Sequence, residues 1–463
     1  MKVGYRSKQA ILLLGDTLGF ILGFFLSMTV RNFSPPSIDL IVLHAPLFSI
    51  MFLFWFVFNY ISGLYDLEHV SQNAKYYRRF SETAVISLIV SIVFFYLVPD
   101  KNIAPKTILF LNILFGYGLS FVFRFLYIQY VGARRLQANI IFVGFTKEVK
   151  ELMGIMKNQP EKGYNTVALI DPEKNVRSVD FPDVEIFEGL HTIRPAITNY
   201  NANLIVIAPH LRQDANALRE LYQLLFWKVE ITDLPSFYET ITGRIPPSTF
   251  SESWFLEHLR HTEKLIYDKV RRLLDYVAAL LIGLFLIIIF PFIALLIKLS
   301  SKGPLFFKQK RIGYNGRMFE MYKFRSMYAL APDGSAEIEG WEFAKKKDKR
   351  ITPIGGFLRK TRIDELPQVW NLWRGDITLI GPRPERPAIV RELEERMPYY
   401  PLRHLVRPGL TGWAVLHQQY TDTIETSLQK LQYDLYYIKN RSFLLDLSIL
   451  LRTVNVVVRF MGQ

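Results

Sequence analysis

The strongest constraint on this chain is a set of long apolar runs, four of which lie in its first third. They occupy about residues 9–30, 40–64, 83–98 and 107–131. Each approaches the length of about 20 apolar residues that spans the hydrocarbon core of a bilayer. Half of the 463 residues are hydrophobic and only 21% are charged, which is too apolar for an ordinary soluble protein. We therefore predict a membrane α-helical bundle of four transmembrane helices within residues 1–135.

Basic residues predict which ends of these helices face the cytoplasm. Clusters precede the first helix, separate the second from the third and follow the fourth; they comprise Lys2, Arg6, Lys8, Lys75, Arg78, Arg79, Arg134 and Arg135. All three clusters fall on one side of the bundle, and the positive-inside rule makes that side cytoplasmic. Asp16 interrupts the first apolar run, which favours a retained helix over a cleaved signal peptide.

The pattern changes over residues 136–262, where short β-branched runs alternate with helical stretches. This alternation predicts parallel strands with crossover helices, that is, an α/β Rossmann-like domain. Its first turn holds only Gly144 and lacks the glycine triplet that cradles a pyrophosphate, so a structural or regulatory role is favoured over nucleotide binding. His258 and His261 have a helical spacing that could hold a metal, but without a third ligand two partly exposed histidines are the simpler interpretation.

A fifth apolar run, LLIGLFLIIIFPFIALL at residues 280–296, contains Pro291. A proline removes a backbone hydrogen bond and kinks a helix. Basic residues flank the run on both sides, from KVRR at 269–272 to Lys298 and Lys302. These features predict a re-entrant membrane helix over about residues 268–299 that enters and leaves on the cytoplasmic side, with a fifth transmembrane helix as the alternative.

Candidate chemistry lies in the segment KTRIDELPQVWNLWRGDITLIGPRPERP, which holds the adjacent acids Asp364 and Glu365. The surrounding cations are Arg359, Lys360, Arg362, Arg374 and Arg383. Neighbouring helical side chains point about 100° apart, so the two acids are expected to do separate jobs. Nearby guanidinium groups would keep both acids ionised and bind phosphate oxygens, and such a carboxylate suits attack on phosphorus beside a divalent metal. A surface salt-bridge network is the structural alternative.

The net charge of +14 predicts a polyanionic partner. Nucleic acid, anionic lipid head groups and a diphosphate substrate all satisfy this charge, and the apolar composition favours the last two, so no nucleic-acid partner is expected. The chain has no cysteine, which excludes disulfides, Cys-based zinc sites and a thiol nucleophile.

From about residue 266 to 463 the chain resembles the bacterial sugar transferase family, the monotopic polyprenol-phosphate hexose-1-phosphate transferases. The matching blocks are KVRRLLDYVAALL, GPLFFKQKRIGYNGRMFEMYKFRSM, ITPIGGFLRKTRIDELPQVWNLWRGDITLIGPRP, VRPGLTGWAVL and LQYDLYYIKNRSFLLDLSILLRTV. The resemblance implies an α-rich monotopic catalytic domain over residues 263–463. The preceding residues look like those of larger members, with four transmembrane helices and a Rossmann-like domain. This family often has serine before the kinking proline, whereas this chain has Phe290.

The resemblance also implies an activity, its site and its cofactor. Asp364 matches the nucleophile that displaces UMP from a UDP-sugar, and Glu365 matches the second acid, which organises Mg²⁺ or handles a proton. Arg359 matches a phosphate-binding arginine, and the other matched substrate-binding positions are Gln309, Arg311, Gly313, Lys323, Arg325, Pro382, Arg383 and Pro384. The acceptor would be a polyprenyl phosphate, in bacteria usually undecaprenyl phosphate, and the product would initiate exopolysaccharide, capsule or O-antigen synthesis. We expect a multi-pass protein of the bacterial inner membrane, in contact with membrane lipids, with its catalytic domain on the cytoplasmic face and a homodimer as a plausible assembly.

Two other functions are open at this point. A metal-dependent glycosyltransferase would pass the sugar without its phosphate and release UDP instead of UMP. A non-catalytic membrane organiser would use the helices and the middle domain to recruit partners and would tolerate asparagine at position 364.

Overall fold

The computed structural model describes residues 5–65, 73–98, 106–131, 137–176, 181–227, 229–259, 264–329, 350–418 and 423–458. The chain divides into two compact units, Met1–Thr242 and Gly243–Gln463. The first unit contains the predicted bundle and α/β region, and the second contains the segment with the family motifs.

Four long helices begin the chain, as predicted: α1 (Tyr5–Asn32), α2 (Ile38–Ile61), α3 (Asn73–Leu97) and α4 (Lys106–Val131). Each contains a stretch long and apolar enough to cross a membrane. Aromatic rings fill the space between them, with Phe20 against Trp55 and Tyr117 at centroid distances of 5.1 and 5.3 Å.

Helices α1 and α4 approach closely because glycines lie where they meet. A Cβ atom on Gly23 would lie 2.5 Å from the backbone nitrogen of Gly116. Small residues of this kind let the backbones of two membrane helices approach closely. In a bilayer the hydrophobic effect does not drive helices together, so this van der Waals contact stabilises their association.

A buried ion pair ties the helices together. Asp16 and Arg124 are 0% and 1% exposed, and Arg124 Nη2 donates to Asp16 Oδ2 at 2.5 Å. Asp16 also accepts hydrogen bonds from Ser120 Oγ at 2.5 Å and from Tyr65 OH at 2.7 Å, and Arg124 donates to Tyr76 OH. Both charges of this buried pair are therefore matched by polar partners, as burial of an ion pair requires.

The rest of the first unit is an α/β region with a five-stranded parallel sheet of order β3-β2-β1-β4-β5. Its strands are β1 (Ala138–Val143), β2 (Tyr164–Ile170), β3 (Glu185–Phe187), β4 (Leu204–Ile207) and β5 (Glu230–Asp233). Its helices are α5 (Lys147–Asn158), α6 (Ile193–Tyr200), α7 (Ala215–Gln223) and α8 (Leu234–Thr242). Residues of β1 are buried on both faces, Ile140 and Phe142 in one cluster and Ile141 and Val143 in another. A parallel sheet covered on both faces produces this all-apolar strand.

Histidine placement agrees with the simpler interpretation at His258. Its ring stacks on Trp254 at 4.5 Å, and its Nδ1 lies 3.0 Å from the Trp254 carbonyl oxygen. His261 lies outside the described residues. Among the described residues, no three His, Cys, Asp or Glu side chains group as a metal site would need.

The second unit begins at Gly243, before the first motif block at Lys269. Its helices are α9 (Glu252–Leu259), α10 (Leu265–Ser300), α11 (Pro353–Lys360), α12 (Val369–Arg374), α13 (Pro387–Arg396), α14 (Trp413–His417), α15 (Ile424–Asn440) and α16 (Phe443–Val458). Two short sheets complete it, the antiparallel pair β6 (Phe306–Ile312) and β7 (Met318–Phe324) and the parallel pair β8 (Thr378–Ile380) and β9 (Gly409–Thr411). Phe255 and Leu259 of α9 pack with Val390 and Leu435, so residues assigned by sequence to the middle domain join this core.

Helix α10 covers the fifth apolar run as one 36-residue helix with Pro291 inside it. Ile287, Ile288 and Phe292 are about 70% exposed, so much of its apolar surface is uncovered by the protein. Phe290, the residue before Pro291, stacks on Phe306 at 6.0 Å and nearly parallel to it. This ring therefore fastens the helix to the β6–β7 hairpin instead of serving the backbone at the proline.

Breaking the buried ion pair should destabilise the bundle. We expect Arg124→Met to lower the free energy of unfolding by about 3 to 5 kcal/mol, because it leaves Asp16 charged and buried without its partner. Arg78→Ala removes an exposed pair with Glu82 and should cost at most about 0.5 kcal/mol. Denaturant unfolding of the purified protein in detergent, followed by circular dichroism, compares the two variants. Equal losses would contradict the structural role of the buried pair.

Candidate active site

The acid pair lies on a short 3₁₀-helix, Ile363–Gln368, that follows α11. Thr352 begins α11 by accepting a hydrogen bond from Gly355 N at 2.9 Å. Arg362 then adopts a left-handed backbone, with φ of 60° and ψ of 13°, which an arginine rarely does. This turn ends the helix and brings Asp364 and Glu365 into the interior, where Asp364 is 8% exposed. The acids therefore belong to a buried site and not to a surface salt-bridge network.

Glu365 is held by three cations from three segments. Its Oε1 accepts from Arg383 Nη2 at 2.6 Å and from Lys323 Nζ at 2.9 Å, and Arg362 Nη1 lies 3.7 Å from its Oε2. Burial alone would raise the pKa of Glu365, but Arg383, Lys323 and Arg362 outweigh burial and hold this pKa well below its ordinary value. The neighbouring cations therefore favour the anionic form of Glu365.

Asp364 has a different environment. Its Oδ1 is buried and has no hydrogen-bond partner among the described residues. Burial and the charge of Glu365 raise the pKa of Asp364 to about 6, against the opposing charges of Lys323, Arg359 and Arg362. The sequence predicted that cations would keep both acids ionised; at Asp364 burial weakens that effect, although the carboxylate still predominates at neutral pH. The two acids thus differ in environment: Glu365 is bound by cations, whereas one oxygen of Asp364 has no hydrogen-bond partner among the described residues.

Lys323 reaches this pair from β7. Burial lowers the pKa of Lys323, and the adjacent charge of Glu365 opposes that shift. The strand is fixed by Asn371 of α12, whose side chain accepts from Tyr322 N at 3.1 Å and donates to Glu320 O at 2.6 Å. Asn371 was not predicted as a site residue, and only its place within the motif block could have indicated its role.

The segment GPRP supplies Arg383 from a tightly packed turn. A Cβ atom on Gly381 would lie 2.5 Å from the Arg407 carbonyl oxygen, so only glycine fits beside that backbone. Pro382 O accepts from Gly409 N at 3.0 Å, and Pro384 O accepts from Arg311 Nη1 at 3.0 Å. Pro382 and Pro384 therefore shape the turn that presents Arg383.

The predicted residues of β6 lie beside this turn. Arg311 Nη2 donates to Gln309 Oε1 at 2.6 Å, and its Nη1 lies 3.6 Å from Glu385 Oε2. Burial lowers the pKa of Arg311 to about 10, with Glu385 acting in the opposite direction. Gly313 closes the hairpin, where its N donates to Arg317 O at 2.8 Å. Gln309 and Arg311 thus join the same charged neighbourhood as Arg383.

Arg325 has a different position from the rest of the predicted set. Its Nη2 donates to Ser301 O at 2.7 Å and lies 3.5 Å from Ile297 O, at the end of α10. The guanidinium therefore caps the carbonyl end of the apolar helix, where a positive charge is favourable. A substrate-binding role for Arg325 stays a prediction.

Four charged residues outside the predicted set complete the surroundings: Glu385, Arg403, Lys430 and Asp434. Arg403 and Asp434 are each 2% exposed, and Arg403 Nη2 lies 2.7 Å from Asp434 Oδ2. The sequence places Asp434 in the block LQYDLYY, an acid among apolar residues, which was the available signal. The site as a whole combines one free carboxylate, one neutralised carboxylate and an excess of cations, which suits a phosphorylated ligand and attack on phosphorus.

Comparison with known proteins agrees with this chemistry. A sequence model of the family described as bacterial sugar transferase matches residues 266–460. The UDP-N-acetylgalactosamine-undecaprenyl-phosphate N-acetylgalactosaminephosphotransferase of Aeromonas hydrophila is 39% identical over 243 residues, 50% of this chain and 53% of that protein. The UDP-glucose:undecaprenyl-phosphate glucose-1-phosphate transferase of Escherichia coli (strain K12) is 38% identical over 187 residues, 40% of this chain and 39% of that protein.

These two matches cover about half and two fifths of the relatives' own lengths. A smaller relative, the exopolysaccharide production protein PSS of Rhizobium leguminosarum bv. phaseoli, is 40% identical over 168 residues, which make up 35% of this chain and 82% of that protein. The family model lies within the second unit, and four fifths of this relative's length is matched at 40% identity, so the chain belongs to the bacterial sugar transferase family.

Proposed function

We propose that this protein transfers a hexose-1-phosphate from a UDP-sugar to undecaprenyl phosphate. The observation that carries the proposal is the buried acid pair, in which Glu365 is neutralised by Arg383 and Lys323 while Asp364 keeps an oxygen without a partner. The names of the Aeromonas and Escherichia relatives agree with a nucleotide-sugar donor and a polyprenyl acceptor. The product would enter polysaccharide synthesis, in accord with the name of the Rhizobium relative.

Asp364 is the proposed nucleophile. One carboxylate oxygen attacks the β-phosphorus of the UDP-sugar, and the bond from that phosphorus to the bridging oxygen breaks, so UMP leaves with the bridging oxygen. A phosphate oxygen of undecaprenyl phosphate then attacks the same phosphorus, and the bond to Asp364 breaks. The carboxylate is regenerated, and the sugar remains linked to the lipid through a diphosphate. Asp364 suits this role because its free oxygen needs no hydrogen bond to be broken before attack.

Glu365 and its cations have a supporting role in this scheme. The ion pairs to Lys323 and Arg383 fix both cations beside the nucleophile before substrate arrives. Charge that develops on the phosphoryl oxygens during transfer is then met by groups that need no reorganisation. Arg359 also lies close enough for its charge to lower the pKa of Asp364. Lys323, Arg359 and Arg383 are accordingly assigned to the phosphates of the donor.

The acid pair also fits a magnesium ion. Mg²⁺ is commonly bound by one or two carboxylates with substrate phosphates and water, so the lack of a third acidic ligand among the described residues is compatible with it. Asp364 and Glu365 would hold the ion through carboxylate oxygens other than the one that attacks phosphorus. When bound, the ion would neutralise charge on the diphosphate.

We infer that α10 enters the membrane and returns to the side on which it began. Asp275, near its start, accepts from Thr378 Oγ1 at 3.0 Å and Leu379 N at 2.9 Å. Ile297, near its end, packs with Phe324 and Leu358 of the same unit. These contacts are 22 residues apart, about 33 Å of helical rise, whereas a domain on one face of a bilayer reaches only one end of a crossing helix.

Other observations support the cytoplasmic orientation and the Rossmann-like assignment. A cytoplasmic catalytic unit at the inner membrane follows from the basic clusters and from a lipid-bound acceptor that stays in the bilayer. The strand order of the middle region supports the Rossmann-like assignment. Its order, β3-β2-β1-β4-β5, is the order of the first five strands of that fold.

Replacing the nucleophile should stop transfer. In nanodiscs with Mg²⁺, undecaprenyl phosphate and a panel of UDP-sugars, we expect UMP with at least one donor, and Asp364→Asn to lower its release by at least about 1,000-fold. Without acceptor, a donor labelled in its sugar should leave label on wild-type protein only. Glu395→Gln, at an exposed acid of α13, is the matched control and should behave as wild type. UDP release would instead indicate a glycosyltransferase, and an active Asp364→Asn would exclude this nucleophile.

Activity should fall in mild acid. With a pKa of about 6, Asp364 is ionised above that pH and protonated below it, and a protonated carboxyl is a poor nucleophile. We therefore expect kcat/KM for UMP release to be level near pH 7.5 and to fall about tenfold per pH unit well below pH 6. Circular dichroism over the same range controls for unfolding. An acid limb near pH 4 would contradict the raised pKa of Asp364.

Topology can be tested directly because the chain has no cysteine. Single cysteines at Lys269 and Lys302, exposed positions on either side of the apolar run, should both react with a membrane-impermeant maleimide in inverted vesicles only. A cysteine at Phe33, between α1 and α2, should react in right-side-out cells and serves as the opposite control. Labelling of Lys269→Cys and Lys302→Cys from opposite sides would establish a crossing helix.

A further inference from the structure

Two linked sets of charged side chains hold the turn that presents Arg383. Arg383 O accepts from Arg403 Nη2 at 2.9 Å, and the next carbonyl, Pro384 O, accepts from Arg311 Nη1 at 3.0 Å. Two successive carbonyls of one turn are thus each bound by a different guanidinium, that of Arg403 buried and that of Arg311 14% exposed. Because a hydrogen bond to a charged donor is about twice as strong as a neutral one, this arrangement fixes the turn strongly.

The first set links Arg403 to helix α15. Arg403 Nε and Nη2 donate to Asp434 Oδ2 at 3.1 and 2.7 Å, and Arg403 Nη1 donates to Tyr400 OH at 2.7 Å. The side chains of Arg403 and Asp434 are 1% and 3% exposed, so neither can turn to solvent if the other is lost. Asp434 thereby sets the orientation in which Arg403 meets the Arg383 carbonyl.

The second set links Arg311, through Glu385, to the same face of α15. Arg311 Nη1 lies 3.6 Å from Glu385 Oε2, and Lys430 Nζ donates to Glu385 Oε1. Burial alone would raise the pKa of Glu385, but Lys430, Arg403 and Arg311 lower it to about 2, so Glu385 stays charged. Lys430 and Asp434 are four residues apart, one helical turn, and therefore point in the same direction. One face of α15 therefore contributes a residue to both sets.

We propose that Arg403 and Asp434 are positioning residues for the transfer reaction: they hold the Arg383 backbone so that its guanidinium meets Glu365 beside the nucleophile. This inference rests on the proposed function and adds a role for α15 within it. Neither residue touches the acid pair. Their effect passes through Arg383, whose Nη2 lies 2.6 Å from Glu365 Oε1.

The test uses Arg403→Lys in the full-length protein in nanodiscs. A lysine keeps the positive charge but has no planar fork, so it cannot bind Asp434, Tyr400 and the Arg383 carbonyl together. We expect kcat for UMP release to fall about 10- to 100-fold, as when support of a reacting group is removed, with a change in donor KM of less than about threefold.

Asp434→Asn and Tyr437→Phe complete the design. Asp434→Asn keeps the side-chain shape while removing the charge that orients Arg403, so it should lower kcat with donor KM held within about threefold, and it serves if Arg403→Lys does not fold. Tyr437→Phe is the matched control: it removes a buried hydrogen bond from the same helix to Asp446 at 2.9 Å and none of the hydrogen bonds of Arg403 and Asp434. It should lower the thermal unfolding midpoint yet keep kcat within about twofold of wild type.

The outcomes separate the inference from the proposed function. If wild-type protein releases UMP but Arg403→Lys and Asp434→Asn change kcat no more than Tyr437→Phe, the positioning role is wrong and the proposed function stands. The same holds if donor KM rises by as much as kcat falls, because the substitution then weakens binding in general. If wild-type protein releases no UMP with any donor, the proposed function fails and the inference fails with it.

Discussion

The site depends on the burial of two adjacent carboxylates. Two like charges side by side in a low-dielectric interior repel, and each loses its hydration. The structure meets this cost unequally: Lys323 and Arg383 are both placed on Glu365, while Asp364 receives only the longer-range effect of the cations. The asymmetry gives one acid a depressed pKa and the other a raised pKa. Separate roles for two identical functional groups follow from that difference.

Strand β7 connects this site to the apolar helix. Three successive residues point to three different partners: Lys323 to Glu365, Phe324 to the ring of Phe290 at 6.2 Å, and Arg325 to the carbonyl end of α10. A shift of α10 relative to the hairpin would therefore disturb the lysine beside the acid pair. The proposed reaction on a lipid phosphate requires the reacting group to lie at a fixed depth, and this segment couples the acid pair to the apolar helix.

The sequence predicted what depends on local pattern, and missed what depends on distant pairing. Four apolar helices and a parallel α/β region follow from run length and alternation, and the acid pair follows from the motif block. Asp16 and Arg124 are 108 residues apart, and Arg403 and Asp434 are 31 apart, so no spacing rule joins them. The raised pKa of Asp364 was also beyond the sequence, because the DELP motif lists the nearby cations but not the depth of burial. The contact of Arg325 with the end of α10 was also beyond the sequence, because it joins this residue to a carbonyl 24 residues away.

The unpartnered oxygen of Asp364 gains its meaning from its neighbours. A buried polar atom without a hydrogen bond costs about 1 to 3 kcal/mol, and the great majority of such atoms in folded proteins find a partner. Here cations from β7, from the turn at Arg383 and from α11 surround the acid pair, yet the short contacts to Lys323 and Arg383 are made by Glu365. The surrounding frame is rigid, because Asn371 fixes β7 and Arg403 fixes the turn. A rigid frame that withholds a partner from one carboxylate oxygen keeps that oxygen available for a ligand, which is the state required of a nucleophile before its substrate binds.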